Sequence, residues 1–233
     1  MKKLLFSLVV VFAATFSLSA QTVDEIITKY VTAIGGAEKW SKITSLKVEG
    51  QIEVQGVEIP FTMQGVHMKG TRVDAEFQGS KIIDIVTPTK GWSQNPFGGK
   101  MSLEEITADE LKTKVDELDL QDEFVNYKEK GSTVEFLGKE EEDGTSYNKV
   151  KLTTKNGNEK TYFFDLTTNL IYKEESTVKQ QGQEIKQSVK YLDYQTLENG
   201  IKMSFKSDMG QMMMVTKKVT INPTIDETIF KGN

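Results

Sequence analysis

The sequence predicts a mainly β protein: one curved antiparallel sheet forming a half-open barrel of about eleven strands, with an N-terminal helix and a central helical lid. Three observations carry that reading. Apolar and polar residues alternate with a period of two over most of 45–221, and Gly, Asn-Gly or Asp-Gly punctuate the alternation at hairpin spacing. One amphipathic helical stripe precedes the strands, and a second helical pattern interrupts them near the middle. A sheet of about eleven strands does not stay flat, and a barrel much wider than about eight strands has an interior its own side chains do not fill.

Taken in chain order, residues 1–20 read as a cleavable secretory signal peptide. Lys2 and Lys3 form a positive n-region, Leu4 to Leu18 is apolar, and Ser19-Ala20 precedes the expected cut. That run is short for a membrane span. Residues 21–233 are then a single exported domain, expected in the periplasm and, with no cysteine to carry lipid, not lipid-anchored. Losing Lys2 and Lys3 takes the net charge from −5 to −7.

Thr22 and Glu25 have capping-box spacing, and Val23, Ile26, Ile27, Tyr30, Val31 and Ile34 recur on one helical face. Gly35-Gly36 ends this helix, and 37–41 makes a short turn carrying Trp40. Strand alternation then runs through Leu46, Val48, Ile52 and Val54, and through Val57, Ile59, Phe61 and Met63. It continues through Val73, Ala75 and Phe77, then Ile83 and Ile85. After the break at Asn95-Pro96-Phe97-Gly98-Gly99, Ser102 is read as the cap of the lid. Its apolar face is Leu103, Ile106, Leu111, Val115 and Leu118, and it ends before Tyr127. Further strands carry Val134/Phe136, Val150/Leu152, Tyr162/Phe164, Ile185/Val189/Tyr191, Ile201/Met203/Phe205 and Met212 to Ile221. Turns are expected at Asp143-Gly144, Asn156-Gly157, Gly182 and Asn199-Gly200.

The composition leaves few tools for catalysis. With no Cys there is no thiolate nucleophile, disulfide or zinc-thiolate site, and with His67 the single histidine no multi-histidine metal centre can form. Glu140 to Asp143 lacks the alternating ligand spacing of a calcium loop. Neither a metal nor a cofactor is expected, and an exported hydrolase is a poor reading. The acidic balance argues against nucleic acid as a partner.

The expected inward side chains are large and soft: Ile59, Phe61, Met63, Phe77, Ile83, Ile85, Trp92, Phe97 and Phe205. They would line a ligand cavity beneath the lid, or else pack with the helices into a solid core. Met209 and Met212 to Met214 form the richest methionine cluster, suited to adaptable apolar contact. Arg72, the only arginine, is a candidate anchor for the lid or for a ligand; the alternative is a strand residue paired with an acid.

Arg72 to Gly79 and Lys90 to Gly98 carry a resemblance, joined by Ile34-Gly35-Gly36 with Trp40, Tyr127 to Gly131, Asp193-Tyr194 and Asn222 to Phe230. In this order they resemble the bacterial outer-membrane lipoprotein-sorting (LolA/LolB-like) family. The resemblance implies a half-open barrel with a helical lid that holds a lipid or the acyl chains of an acylated lipoprotein, with envelope proteins as further candidate partners. Lacking Cys, the chain resembles the soluble carrier of that system rather than its lipidated receptor. It departs from the family pattern at His67-Met68, where the family usually carries the Arg-Pro associated with lid closure, and at Ser204, where proline is common. The expected function is a non-enzymatic periplasmic carrier or sensor, acting as a monomer. The alternative is an envelope interaction or scaffold module of the same fold with a filled core.

Overall fold

The computed structural model describes residues 23–180 and 183–232. The expected signal peptide, the Thr22 cap and the Gly182 turn lie outside the described residues. Helix α1 spans 23–33 and α2 Ala37–Trp40. The chain then forms β1 (Ser45–Val54), β2 (Val57–Val66), β3 (Gly70–Phe77), β4 (Ser80–Val86), β5 (Gly91–Asn95) and β6 (Lys100–Glu105). Helix α3 (Ala108–Lys114) and the 3₁₀ turn Val115–Leu118 follow. After an irregular stretch come β7 (Thr133–Glu142), β8 (Thr145–Thr153), β9 (Glu159–Asp165), β10 (Ile171–Gln180), β11 (Gln183–Thr196), β12 (Lys202–Asp208) and β13 (Met212–Ile221).

These strands make one antiparallel sheet in the order β6-β5-β4-β3-β2-β1-β13-β12-β11-β10-β9-β8-β7. The chain starts in the middle, walks to one edge, crosses to the other edge, and returns so that β13 closes against β1. Nearly every connection is therefore a hairpin. At Gln55-Gly56, Gln78-Gly79 and Asp143-Gly144 the two turn residues have φ of 50° and 80°, 51° and 76°, and 52° and 76°. That geometry matches the right-handed twist of the flanking strands.

The sheet has thirteen strands rather than about eleven. One extra strand is β10, whose run Lys173-Glu174-Glu175 shows no apolar alternation. Lys173 and Glu174 are nonetheless buried, held by Glu142 at the end of β7 and Tyr191 on the adjacent β11. The other difference is the β5–β6 hairpin, which corrects the expected lid. Residues 100–105, read as helix from Leu103/Ile106 spacing, pair with β5 instead. Leu103 is therefore an edge-strand residue, and Ser102 is not a helix cap. The lid helix starts five residues later than Ser102, at Thr107, whose hydroxyl and Glu110 form a reciprocal capping box.

Register divides the side chains between two faces. Gly50↔Phe61↔Ala75↔Ile82 and Val48↔Met63↔Val73↔Asp84 share the face that carries the helices, called inner below. On that face α1 buries Val23, Ile26, Ile27, Tyr30 and Ile34 in the main core with Phe124, Leu152, Phe164 and Ile201. Tyr30, Phe124, Tyr162 and Phe164 meet edge to face, with centroids 4.9–5.6 Å apart for four of their pairs. Gly35 lets the end of α1 dock, because a Cβ there would lie 2.4 Å from the Gly200 carbonyl oxygen. The docked Ile34 carbonyl accepts from the Lys202 amide and the Trp40 indole.

The outer face is covered near β2–β5 by the C-terminal turn Glu227–Phe230. Phe230 packs on Gly70 and Gly232 lies against Trp92.

Candidate functional site

The connection from β6 to β7 crosses the inner face and ties together strands from opposite halves of the open sheet. Lys114 pairs with Asp84 on β4. Asp116 accepts from Thr154, Asn156 and Asn158, on the turn between β8 and β9, at 2.6–2.8 Å. Ile106 packs on Gly91, Leu118 is fully buried, and Leu120 lies over Gly65 and Thr71. Leu111 and Val115 are half-buried. The lid is thus fastened at the end of the barrel where β2 leaves for β3. There the Met68 amide donates to the Leu118 carbonyl at 2.8 Å, and the Leu120 amide donates to His67 Nδ1 at 3.2 Å. Asp119 lies 3.7 Å from the same imidazole. Burial, with Lys130 adding to it, holds His67 below its ordinary pKa against the pull of Asp119.

Toward the opposite end of the inner face the lid does not reach. Ile59, Phe61 and Ala75 are buried there, with Val48, Ile52, Val54, Met63, Val73, Phe77, Ile82 and Met214 packed around them yet only half-buried. The ring of Phe97, 61% exposed on the 3₁₀ turn after β5, stands 5.7 Å from that of Phe77 and extends the strip to the rim. Five adjacent strands contribute, from β13 to β4, so four spacings of about 4.8 Å make the strip about 19 Å wide.

Beside the strip lies a cavity of about 220 Å³ with a different character. Its walls come from α1, the 120s segment and β9 to β12, and include Tyr30, Asp122, Glu123, Tyr162, Glu174, Tyr191 and Tyr194. Each carboxylate accepts from a tyrosine hydroxyl: Asp122 from Tyr30 at 2.6 Å, Glu123 from Tyr162 at 2.6 Å, Glu174 from Tyr191 at 2.8 Å. Lys160 donates to Glu123 at 2.5 Å and sits 3.7 Å from Glu174. Burial raises Asp122 to about 6 and also raises Glu174, with Lys160 opposing the latter. The cavity adjoins the strip: Ser207 lines the cavity, and its register partner Met214 packs into the strip.

Of the sequence-predicted lining, Ile59, Phe61, Met63 and Phe77 stand together on the inner face, with Phe97 at the rim. Ile83, Ile85 and Trp92 do not join them. Ala75 pairs with Ile82 and Arg72 with Ile85, so those three side chains project from the outer face. Phe205 is buried but lies in neither apolar cluster. Arg72 is also on the outer face. Its guanidinium grips Asp74 through two bonds of 2.7 Å and donates to the Ile229 carbonyl at 3.1 Å, pinning the C-terminal turn rather than the lid.

The tyrosine–carboxylate cavity was not among the sequence-predicted sites. Four of the seven tyrosines converge on it, but from three separate places in the chain: α1, β9 and β11. Among the described residues no cluster of His, Cys, Asp or Glu could hold a metal ion, and no helix is long and apolar enough to cross a membrane.

No family model and no curated protein matches the chain. Solved structures do. An outer membrane lipoprotein-sorting domain from Vibrio parahaemolyticus superposes with a TM-score of 0.54 at 10% identity, covering 92% of this chain and 96% of that one. A DUF1329 family protein from Desulfovibrio piger gives 0.53 at 10% identity, over 84% and 92% of the two chains. A LolA superfamily protein from Nitrosomonas europaea gives 0.52 at 10% identity, over 84% and 95%. In fold, the chain is LolA-like.

Proposed function

We propose that the protein is a non-enzymatic binding protein of the periplasm, reached through the signal peptide, that holds a lipid or the acyl chains of a lipoprotein on its inner face. The observation that supports this most is the half-buried apolar strip that the lid leaves open. Each methylene laid on that strip would contribute about 0.8 kcal/mol, and the reaction needs no cofactor. Met63 on its central strand and Met214 on its β13 flank supply adaptable contacts. The fold likeness to a lipoprotein-sorting domain agrees with this reading. Carriage or sensing of such cargo, in a monomer, is the proposed role.

A filled-core scaffold module is the second reading. It is favoured by the other half of the inner face, where α1 and Phe124 bury an aromatic core against β8–β10.

The deciding experiment is mass spectrometry of an organic extract of protein purified from the envelope, together with displacement of a neutral naphthylamine dye by palmitate or a lipopeptide. Co-purified lipid and displacement support the carrier, and Ile52→Glu with Val73→Glu should then weaken palmitate binding about tenfold. No extracted lipid and no displacement would leave the scaffold reading.

A further inference from the structure

We propose that the tyrosine–carboxylate cavity is a binding site for an organic ammonium group, so that the ligand is an amphiphile with a cationic head in the cavity and its hydrocarbon on the strip. This rests on the reading of the strip as an acyl site.

The chemistry of the walls selects the charge. Asp122, Glu123 and Glu174 line the cavity together with Lys202, and behind the wall the Lys160 ammonium pairs with Glu123 and Glu174. One negative charge is left over, so an anionic head is disfavoured and a cation completes the balance. A carboxylate has about four acceptor positions. Asp122 uses two, on the Tyr30 hydroxyl and the Phe124 amide, and Glu174 takes one close bond, from Tyr191. Both have capacity left for a donor or a positive charge.

Aromatic side chains line the same space. Tyr30, Tyr162, Tyr191, Tyr194 and Trp40 all line it, and their ring quadrupoles attract an ammonium group in a partly desolvated site. The tyrosine hydroxyls are committed to fixed acceptors, Tyr194 to the Ile171 carbonyl and the others to the carboxylates. They orient the acids rather than offer free donors to an anionic or sugar head. A volume of about 220 Å³ suits a small head and not a whole lipid. The tail has somewhere to go, because the cavity wall at Ser207 meets the strip at Met214, in register with Ile52 and Ile59.

The test uses four probes on the full exported domain below their aggregation concentrations: dodecyltrimethylammonium, dodecyl maltoside, dodecyl sulfate and tetramethylammonium. Calorimetry gives affinities, and the Trp40 indole N–H resonance reports the cavity, with outer-face Trp92 as internal control. Dodecyltrimethylammonium should bind about tenfold tighter than the maltoside or the sulfate, and Glu174→Gln should cut that preference to about threefold or less. Arg72→Leu, on the outer face and away from the cavity, should keep it. If the three dodecyl compounds bind alike, or the maltoside binds best, the ammonium site is overturned while the acyl strip stands. If tetramethylammonium shifts Trp40 but no dodecyl compound binds, the site stands and the acyl reading falls. Silence from all four overturns both.

Discussion

Replacing Asp122 by Asn removes a charge that the fold holds unfavourably. In the unfolded chain this carboxyl ionises near 3.8; in the folded protein it keeps its proton up to about 6, chiefly because burial disfavours the anion. Protons therefore favour folding here. The contribution is fully present below about pH 3.8 and is lost as the pH rises through about 6. A difference of about two pH units corresponds to about 3 kcal/mol. The effective dielectric at such a site exceeds that of a dry interior, so about 1–2 kcal/mol is expected to survive. Asn keeps Oδ1 as the acceptor for the Phe124 amide and, like the protonated acid, presents a donor to the Tyr30 oxygen, whose hydroxyl can turn to accept it. Asp122→Asn should thus be about 1–2 kcal/mol more stable than the parent at about pH 8, and equal to it at about pH 4. Urea denaturation across that range measures it. A variant less stable than the parent at the higher pH, or a difference that does not change with pH, would refute the reasoning.

At the lid, burial holds His67 below 6.5, so the Nδ1 acceptor for the Leu120 amide is present above that pH and is lost as the pH falls through the lower folded value. Amide exchange at Met68 and Leu120, corrected for intrinsic rates, should therefore quicken on acidification, and His67→Leu should remove that dependence; unchanged protection at about pH 5 would contradict it. Arg72→Leu should cost about 1 kcal/mol and loosen Phe230, since the pair with Asp74 is only partly shielded, yet leave dodecyl-ligand affinity unchanged because the side chain is on the outer face. A loss of affinity at unchanged melting would put Arg72 back at the ligand. Phe124→Ala should cost about 3–5 kcal/mol in chemical denaturation, because the ring is 2% exposed and meets Tyr30, Tyr162 and Phe164.

The sequence made α1 and the hairpins legible because each has a single physical signal. Val23, Ile26, Ile27, Tyr30 and Ile34 recur at the helical period because one face is buried, and Asp143-Gly144 or Gln55-Gly56 adopt positive φ where the strands reverse. The signal failed where both faces of a strand are covered. In Ile82-Ile83-Asp84-Ile85-Val86, the inner face packs under the lid and strip while the outer face lies near the C-terminal turn. Alternation then cannot say which set points inward, and Ile83 and Ile85, expected inside, lie on the outer face. It failed again at β6, where Leu103 and Ile106 have helical spacing although 100–105 is an edge strand. At β10 ion pairs replace the apolar pattern altogether. The cavity had no local signature, since Tyr162, Glu174 and Tyr191 meet through the order of the strands and Tyr30 and Asp122 through the docking of α1 and the 120s segment onto them.

The placement of these groups is hard to explain as a device for stability. Buried, paired charges such as Lys160 with Glu123 and Glu174 are often matched or bettered by apolar residues of the same volume, and Asp122 stands at about 6 because its ionised form is poorly housed. Next to them Ile52, Val73, Phe77 and Ile82 remain half-exposed, although a lid shifted along the sheet could cover them. Instead the lid is fastened beside the strip, by Lys114 to Asp84 next to Val73 and by Asp116 to the β8–β9 turn. One oxygen of Asp84 is left buried without a partner there. That fastening braces the open sheet between its two halves without filling it. A protein selected only for stability would let the lid slide onto the strip and exchange the charges for leucine; this one leaves hydrocarbon-sized and ammonium-sized spaces side by side on the same inner face.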